Sequence, residues 1–148
     1  MFKNIILAML LVSSSLFSAD VNWAKDYDSG LKKAQKEDKP VLFIISRDTC
    51  KYCVMLDNQT LKDKQIVKAL NKDFVAIRSW TNEGDYIPDE LARYTPGLPG
   101  IWFLTPKGEP IFKPMLGFIK KDKFIEILAI VHTEYENEKK ENEKKGKK

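Results

Sequence analysis

Two cysteines separated by two residues carry the clearest chemistry in this sequence, in the motif Cys50-Lys51-Tyr52-Cys53. A run of branched and aromatic residues, 41–45, precedes the motif, and apolar residues at helical spacing follow it. The motif is therefore predicted to lie where a strand passes into a helix. Cysteines so spaced at a helix start share one face and can close a disulfide. The pattern favours reversible thiol–disulfide exchange.

The two sulfurs are expected to have different roles. Cys50 lies at the predicted helix N-terminus, where unpaired backbone N–H groups and the helix dipole stabilise a thiolate. Cys53 lies one turn further in and is shielded. We therefore expect Cys50 to be the nucleophile and Cys53 the resolving thiol of an exchange that passes through a mixed disulfide. Lys51 is expected to modulate the reduction potential of the cysteine pair, because nearby positive charge favours a thiolate.

The cysteine pair allows three other interpretations. Haem attachment is excluded because Val54, and not histidine, follows the motif. The chain has two cysteines and one histidine, so a zinc site would need His132 and a carboxylate to complete its ligands. No metal and no cofactor is therefore expected. A purely structural disulfide stays open, although closing so short a loop restricts the unfolded chain little.

The remaining sequence predicts the elements that position the motif. Apolar periodicity, β-branched runs and Pro/Gly turns predict helix 23–36, strand 41–45, a helix from Cys50 that is broken near Asn58, strand 74–80, short helix 88–94, a hairpin of 101–104 with 111–112, and a last helix capped by Asp122. A helix between two strands, twice, followed by a hairpin implies an α/β fold with a mixed central sheet and helices on both faces.

Composition and the chain ends set further limits. The 148 residues are 43% hydrophobic and 31% charged, which suits one domain, and the net charge of +4 is too small and dispersed for a nucleic-acid binder. Residues 1–19 combine Lys3, an apolar run and small residues before Asp20, the layout of a cleaved signal peptide, with an uncleaved anchor as the alternative. Residues 134–148 alternate Glu and Lys and are predicted to extend the last helix, fray and become disordered. Residues 20–133 remain as the domain.

The stretch from Trp23 to His132 resembles the thioredoxin superfamily, and within it the small exported thioredoxin-related proteins. The landmarks are strand 41–45, the cysteine motif, and the segment 98–104 with its Pro106-Lys107-Gly108 turn. The resemblance implies a thioredoxin fold in which Pro99 is cis, faces the dithiol and, with Leu98, offers backbone hydrogen bonds to an extended substrate; Pro96 is the rival. Tyr52 precedes the second cysteine as in several periplasmic isomerase-type members.

The sequence also departs from the thioredoxin pattern. Thioredoxins commonly carry tryptophan where this chain has Thr49, a buried carboxylate where it has Ile44, and Thr or Ser where it has Gly100. That carboxylate accepts the proton of the resolving cysteine. Water, or Cys50 itself, is expected to take the proton here.

The resemblance implies an exported, periplasmic thiol–disulfide oxidoreductase that acts in cell redox homeostasis. Its expected partners are cysteine-containing client proteins, whose disulfides it would reduce, and a membrane electron donor; no nucleic acid is expected. Two alternatives stay open. One is a disulfide oxidase or isomerase, and the other is a non-catalytic thioredoxin-fold binding module whose disulfide is only structural.

Overall fold

The computed structural model describes residues 20–146. The predicted signal peptide, 1–19, and the last two residues of the predicted tail lie outside the described residues. The elements in chain order are α1 (Tyr27–Glu37), β1 (Val41–Ser46), α2 (Lys51–Met55), α3 (Lys64–Asp73), β2 (Val75–Trp80), α4 (Asp89–Arg93), β3 (Gly100–Leu104), β4 (Met115–Leu116) and α5 (Lys121–Lys145).

The four strands form one mixed sheet in the order β2-β1-β3-β4. β1 runs parallel to β2 and antiparallel to β3, and the short β4 is antiparallel to β3. Every residue of β1 is buried, as the unbroken apolar run predicts for a central strand. The end of β1, where the cysteine motif begins, is therefore held by neighbours on both sides.

Helices cover both faces of the sheet. Leu42 and Ile44 point to the face covered by α3 and α5, where Phe124 and Leu128 complete the larger apolar cluster. Val41, Phe43 and Ile45 point to the opposite face, which packs on α1 and on α4. This arrangement confirms the predicted α/β class. Within residues 20–146, no helix is both long and apolar enough to cross a membrane.

The helix after the motif is interrupted where the sequence predicts a break. α2 continues into a π-helical turn, Leu56–Thr60, in which the Leu61 N–H donates to the Leu56 carbonyl at 2.9 Å. Asp63 then starts α3 by accepting hydrogen bonds from the N–H groups of Gln65 and Ile66, at 2.9 and 3.3 Å.

The first predicted helix begins later than expected. The predicted helix start at Trp23 is wrong because Asp26 caps α1 through a reciprocal pair of hydrogen bonds with Ser29. Trp23 is left outside the helix and instead forms a bridge with Ala76, at the outer edge of β2. The segment before α1 therefore belongs to the sheet edge.

The second hairpin strand also differs from the prediction. Residues 111–112 do not form a strand; Met115–Leu116 pairs with β3 instead. Ile111 makes one hydrogen bond, from its N–H to the Phe103 carbonyl at 2.9 Å. Pro110 and Pro114 lie on either side, and because proline has no N–H the ladder cannot continue through them.

The last helix differs from its prediction at its first turn. Lys120 occupies the N-cap position without a side-chain hydrogen bond, so Asp122 lies in the first turn and does not cap. The helix continues to Lys145, so residues 134–145 extend α5 as the sequence predicts and are helical throughout. Tyr135 is buried, its hydroxyl donates to Asp38 at 2.8 Å, and Lys139 pairs with the same carboxylate at 2.7 Å. These contacts hold the extension against the loop after α1.

Candidate active site

Cys50 occupies the N-cap position of α2, at the end of the loop that leaves β1. Its sulfur accepts a hydrogen bond from the Cys53 backbone N–H at 3.3 Å, the contact by which a helix start stabilises a thiolate. Two hydrogen bonds fix this loop. Arg47 Nε donates to Thr81 Oγ1 at 3.1 Å, and the Cys50 N–H donates to the Arg47 carbonyl at 3.2 Å. Cys50 is therefore half-buried on a fixed loop.

Cys53 lies behind Cys50 and is only 1% exposed. Burial raises the pKa of its thiol, and the hydrogen bond with Cys50 raises it further. The Ser46 hydroxyl and the Arg47 backbone hydrogen-bond to the Cys53 sulfur and lower its pKa, so they oppose the effect of burial. Both cysteines are free thiols in this structure. The motif therefore presents one accessible sulfur and one buried sulfur, the asymmetry that the sequence predicts.

The loop before β3 brings a proline next to the dithiol. The Leu98–Pro99 peptide bond is cis, and the bond before Pro96 is not. The Cys50 thiol donates to the Leu98 carbonyl at 3.7 Å, so the loop and the nucleophile are neighbours. The Pro99 carbonyl already accepts the Gly117 N–H at 2.9 Å. Both carbonyls thus have a partner within the chain, and backbone contacts of Leu98 and Pro99 with a substrate stay a prediction.

Thr95 supports this loop from inside. Its hydroxyl donates to the Leu91 carbonyl at 2.7 Å and accepts from Trp102 Nε1 at 2.9 Å. Gly100 leaves the room for it, because a Cβ at that position would lie 2.2 Å from Thr95 Cγ2. The glycine that departs from the thioredoxin pattern is thus explained by the threonine packed against it.

A groove of about 630 Å³ opens beside Cys50. Its walls come from the loop before α2 and from the segment between β2 and β3, and they include Arg47, Thr49, Thr81, Thr95 and Leu98. A groove with both polar and apolar walls suits an extended peptide, which presents main-chain polar groups and side chains together.

The other predicted residues lie outside this groove. Lys51 and Tyr52 are exposed on the first turn of α2, Tyr52 to 53%, so their modulating role stays a prediction. His132, on α5, has Asp73 at 3.9 Å and packs near the Phe74 ring. Within residues 20–146, the structure assembles no group of three or more His, Cys, Asp or Glu side chains around a metal-sized space.

Sequence reasoning missed three polar side chains on the α2 side of the sheet. Ser46 ends β1 and hydrogen-bonds to Cys53. Arg78 lies beside Ile44 in the parallel register of β1 and β2, and it pairs with Asp57 through an Nη2–Oδ1 contact of 2.5 Å. An arginine inside an otherwise apolar strand is the signal that could have found the pair, since a buried charge needs a partner.

Residues 14–148 match the family Thioredox_DsbH, which is described as "Protein of unknown function, DUF255". The chain belongs to this family. The match spans the sheet, the cysteine motif and the cis-proline loop.

Solved structures agree with this assignment. The chain is 26% identical to a thioredoxin from Thermus thermophilus, with a TM-score of 0.63 over 76% of this chain and 87% of that one. It is 29% identical to the C-terminal domain of DsbD from Neisseria meningitidis, with a TM-score of 0.51 over 69% and 90% of the two chains. The predicted thioredoxin fold and its C-x-x-C spacing are therefore confirmed.

Curated relatives match over a shorter region. Anterior gradient protein 3 of Mus musculus is 27% identical over 77 residues, which are 47% of this chain and 47% of that protein. The chain thus spans about half the length of this relative. The likeness concerns the domain that carries the motif.

Proposed function

We propose that this chain is an exported, periplasmic thiol–disulfide oxidoreductase that reduces disulfides of client proteins through Cys50 and Cys53. The observation that carries the proposal is the setting of the Cys50 sulfur. It lies 3.3 Å from the Cys53 N–H and 3.7 Å from the carbonyl oxygen of Leu98, beside the groove, with the Cys53 thiol buried behind it. An open thiolate with a shielded second thiol is what two-step exchange requires.

The reaction follows from that setting. The Cys50 thiolate attacks one sulfur of a client disulfide, the client S–S bond breaks, and the departing client sulfur takes up a proton. Cys53 then loses its proton and attacks Cys50, so that the Cys50–client bond breaks and the second client thiol leaves. Two electrons have passed to the client, and Cys50 and Cys53 are joined as a disulfide.

Redox cycling of the pair and the compartment have separate support. The DsbD domain that this chain resembles has been solved in oxidised and in reduced form, which fits a dithiol that cycles between both states. A membrane electron donor would return the Cys50–Cys53 disulfide to the dithiol. The layout of residues 1–19 supports export, and disulfides persist in a periplasm.

Insulin reduction tests the activity. We expect the full chain to reduce insulin with dithiothreitol as electron source, Cys50→Ala to lose that activity, and Cys53→Ala to accumulate mixed disulfides with client proteins. His132→Gln, on α5, is the control and should reduce insulin at the normal rate. Unchanged insulin reduction by Cys50→Ala, or the absence of mixed disulfides between Cys53→Ala and client proteins, would contradict the proposal.

An oxidase or isomerase is the second candidate, and the cations beside Cys50 favour it. Lys51 in the motif and Arg47 just before it outnumber the opposing Asp48, and net positive charge near a cysteine favours the reduced form and so a more oxidising redox couple. Alkylation of thiols in intact cells with a mass tag distinguishes the two directions. A largely reduced Cys50–Cys53 pair supports the reductase, and a largely oxidised pair supports the oxidase.

A further inference from the structure

Arg47 brings a positive charge to the groove beside Cys50. Among residues 20–146, no carboxylate and no other cation lines this groove. The rest of the lining consists of threonines, such as Thr49 and Thr81, and of apolar residues, such as Leu98. A negative charge that enters the groove would therefore meet one cation and no competing carboxylate.

The Arg47 guanidinium is fixed at one nitrogen, and its other two nitrogens are not engaged. Its Nε–H donates to Thr81 Oγ1 at 3.1 Å. Nη1 and Nη2 make no hydrogen bond and no ion pair with any of residues 20–146. In Arg78, by contrast, both terminal nitrogens donate to Asp57. Because two N–H groups of a planar guanidinium match the two oxygens of a carboxylate, the free end of Arg47 suits bidentate pairing with an acid.

The backbone that carries Arg47 is fixed relative to the nucleophile. The Cys50 N–H donates to the Arg47 carbonyl at 3.2 Å, and the Thr81 N–H donates to the Ser46 carbonyl at 2.9 Å. These bonds join the loop before α2 to the residue that follows β2. Since the loop is already ordered, pairing of Arg47 with a ligand costs little conformational entropy beyond that of the side chain itself.

Other charged residues lie near the groove but do not line it. Lys51 is exposed on the first turn of α2, and Asp48 follows Arg47 in the chain with its N–H bonded to Asn82 Oδ1 at 3.4 Å. The segment that forms the other wall carries charges of both signs outside the groove, at Asp85, Asp89, Glu90 and Arg93. These charges largely oppose one another. A preference for acidic ligands would therefore depend on contact with Arg47 and not on the overall charge of this side of the molecule.

We propose that Arg47 makes Cys50 selective for client disulfides that have an aspartate or glutamate within three residues of the attacked cysteine. This inference rests on the proposed function, because it names the class of client for the same site. The client carboxylate pairs with Nη1 and Nη2 of Arg47 while the Cys50 thiolate attacks the client sulfur. The Cys50–client S–S bond forms, the client's own S–S bond breaks, and the departing client sulfur takes up a proton. An extended client advances about 3.3 Å per residue, so a more distant acid would lie beyond the groove that Arg47 and Cys50 share.

Matched peptides test this preference with the full chain. Each peptide has one cysteine, joined to 2-thiopyridine by a disulfide, and attack by the reduced protein releases thiopyridone, which is followed by its absorbance. The residues two positions before and after the cysteine are both Glu in one peptide and both Gln in the other, since side chains two apart share one face of an extended segment. Each rate is divided by the rate with dithiothreitol, which removes the intrinsic difference between the peptides. The Glu peptide should react about fivefold faster with the wild type.

Four variants separate contact with Arg47 from a general effect of charge. Arg47→Met should bring the ratio of the Glu and Gln rates close to that of dithiothreitol. Arg47→Lys keeps the charge without the planar fork and should leave about a twofold preference. Thr81→Val removes the acceptor of Arg47 Nε and should lower the ratio with no change of charge. Lys51→Met is the matched control, because it removes a cation near Cys50 that does not line the groove, and it should leave the ratio unchanged.

A binding measurement tests the contact without thiol chemistry. The protein is 15N-labelled Cys50→Ser, the peptides carry serine in place of cysteine, and the Arg47 Nε–H resonance is identified by its loss in Arg47→Met. The Glu peptide should shift this resonance, and the Gln peptide at the same concentration should not.

Equal normalised rates for the Glu and Gln peptides with the wild type would overturn the inference and leave the proposed function standing. A ratio that falls as far in Lys51→Met as in Arg47→Met would also overturn it, since the preference would then come from charge at a distance. A wild type that attacks neither peptide would contradict the proposed function instead. In that case the Nε–H titration decides, and an Arg47 resonance that responds equally to both peptides overturns the inference.

Discussion

The Trp102 indole N–H donates a hydrogen bond of 2.9 Å to the Thr95 hydroxyl, and this contact joins the cis-proline loop to β3. Thr95→Val would leave the buried indole without its acceptor. We expect the free energy of unfolding to fall by about 1–3 kcal/mol, measured by urea denaturation. Thr133→Val, at an exposed position of α5, is the matched control and should change stability little. Equal stability of the two variants would contradict a supporting role for Thr95.

Gly100 and Gly97 should respond differently to alanine. A Cβ at Gly100 would lie 2.2 Å from Thr95 Cγ2, whereas a Cβ at Gly97 would meet nothing within 4 Å. Gly100→Ala should therefore destabilise the fold by about 1–3 kcal/mol, as overpacking does, and Gly97→Ala should not. Thermal unfolding of both variants checks this. A Gly100→Ala protein as stable as Gly97→Ala would show that Thr95 moves aside without cost.

Ser46 and Ser79 form a second matched pair of buried serines. The Ser46 hydroxyl lowers the pKa of Cys53, while Ser79 donates to the Tyr86 carbonyl at 2.8 Å on the opposite face. Ser46→Ala should raise the Cys53 pKa further and slow resolution a few-fold at neutral pH, and Ser79→Ala should not. The 13Cβ chemical shift of Cys53, followed against pH in a Cys50→Ser background, measures both. A Cys53 pKa unaffected by Ser46→Ala would remove this serine from the site.

The raised pKa of Cys53 also sets a pH dependence. Burial favours the neutral thiol, so below the ordinary pKa of a cysteine the attacking thiolate is scarce, and the resolution rate should rise with pH until the folded-state pKa is passed. Because that pKa is raised, the matching contribution to stability is complete below the unfolded-state pKa and is lost as pH rises through the folded one. The first effect, on the resolution rate, is measured between pH 6 and 10 with a mixed disulfide of Cys50 and thionitrobenzoate, which releases the coloured thiol when Cys53 attacks. A rate that is flat over this range would contradict it.

Tyr135 should anchor the second half of α5. Hydrogen bonds from Lys139 and Tyr135 lower the pKa of Asp38, so their stabilisation is present above the ordinary pKa of aspartate and is lost as pH falls through the lowered one. Tyr135→Phe should speed amide exchange in 135–145 and cost about 0.5–1.5 kcal/mol. Tyr94→Phe, at an exposed position, is the control. Protection against exchange in 135–145 that is the same in Tyr135→Phe as in the wild type, at one pH, would contradict this anchor.

Local patterns in the sequence predict much of the candidate active site. The apolar run of β1, the C-x-x-C spacing and the helical periodicity after it predict one exposed and one buried sulfur. The structure has both, since Cys53 is 1% exposed and Cys50 is only half-buried. The resemblance added the cis bond, and the spacing from Pro99 to Gly108, which fits a strand and a turn, favours Pro99 over Pro96.

Contacts between distant residues could not be predicted in the same way. Arg78 and Asp57 lie 21 positions apart, and only the register of two parallel strands brings the arginine beside Ile44. Tyr135 lies 97 positions from Asp38. The tyrosine does continue the buried series Phe124, Leu128 and Val131 at helical spacing, a signal that the surrounding Glu and Lys residues obscured.

The segment that carries Trp23 covers one edge of the sheet and also packs on Arg78. β2 is one of the two edge strands of the sheet, and the Ala24 N–H donates to the Ala76 carbonyl at 2.8 Å, so this short segment covers an edge that would otherwise recruit strands from other molecules. The same Trp23 ring stacks on Arg78. Loss of this one aromatic side chain would therefore loosen the cover of this sheet edge and expose the Arg78–Asp57 pair together.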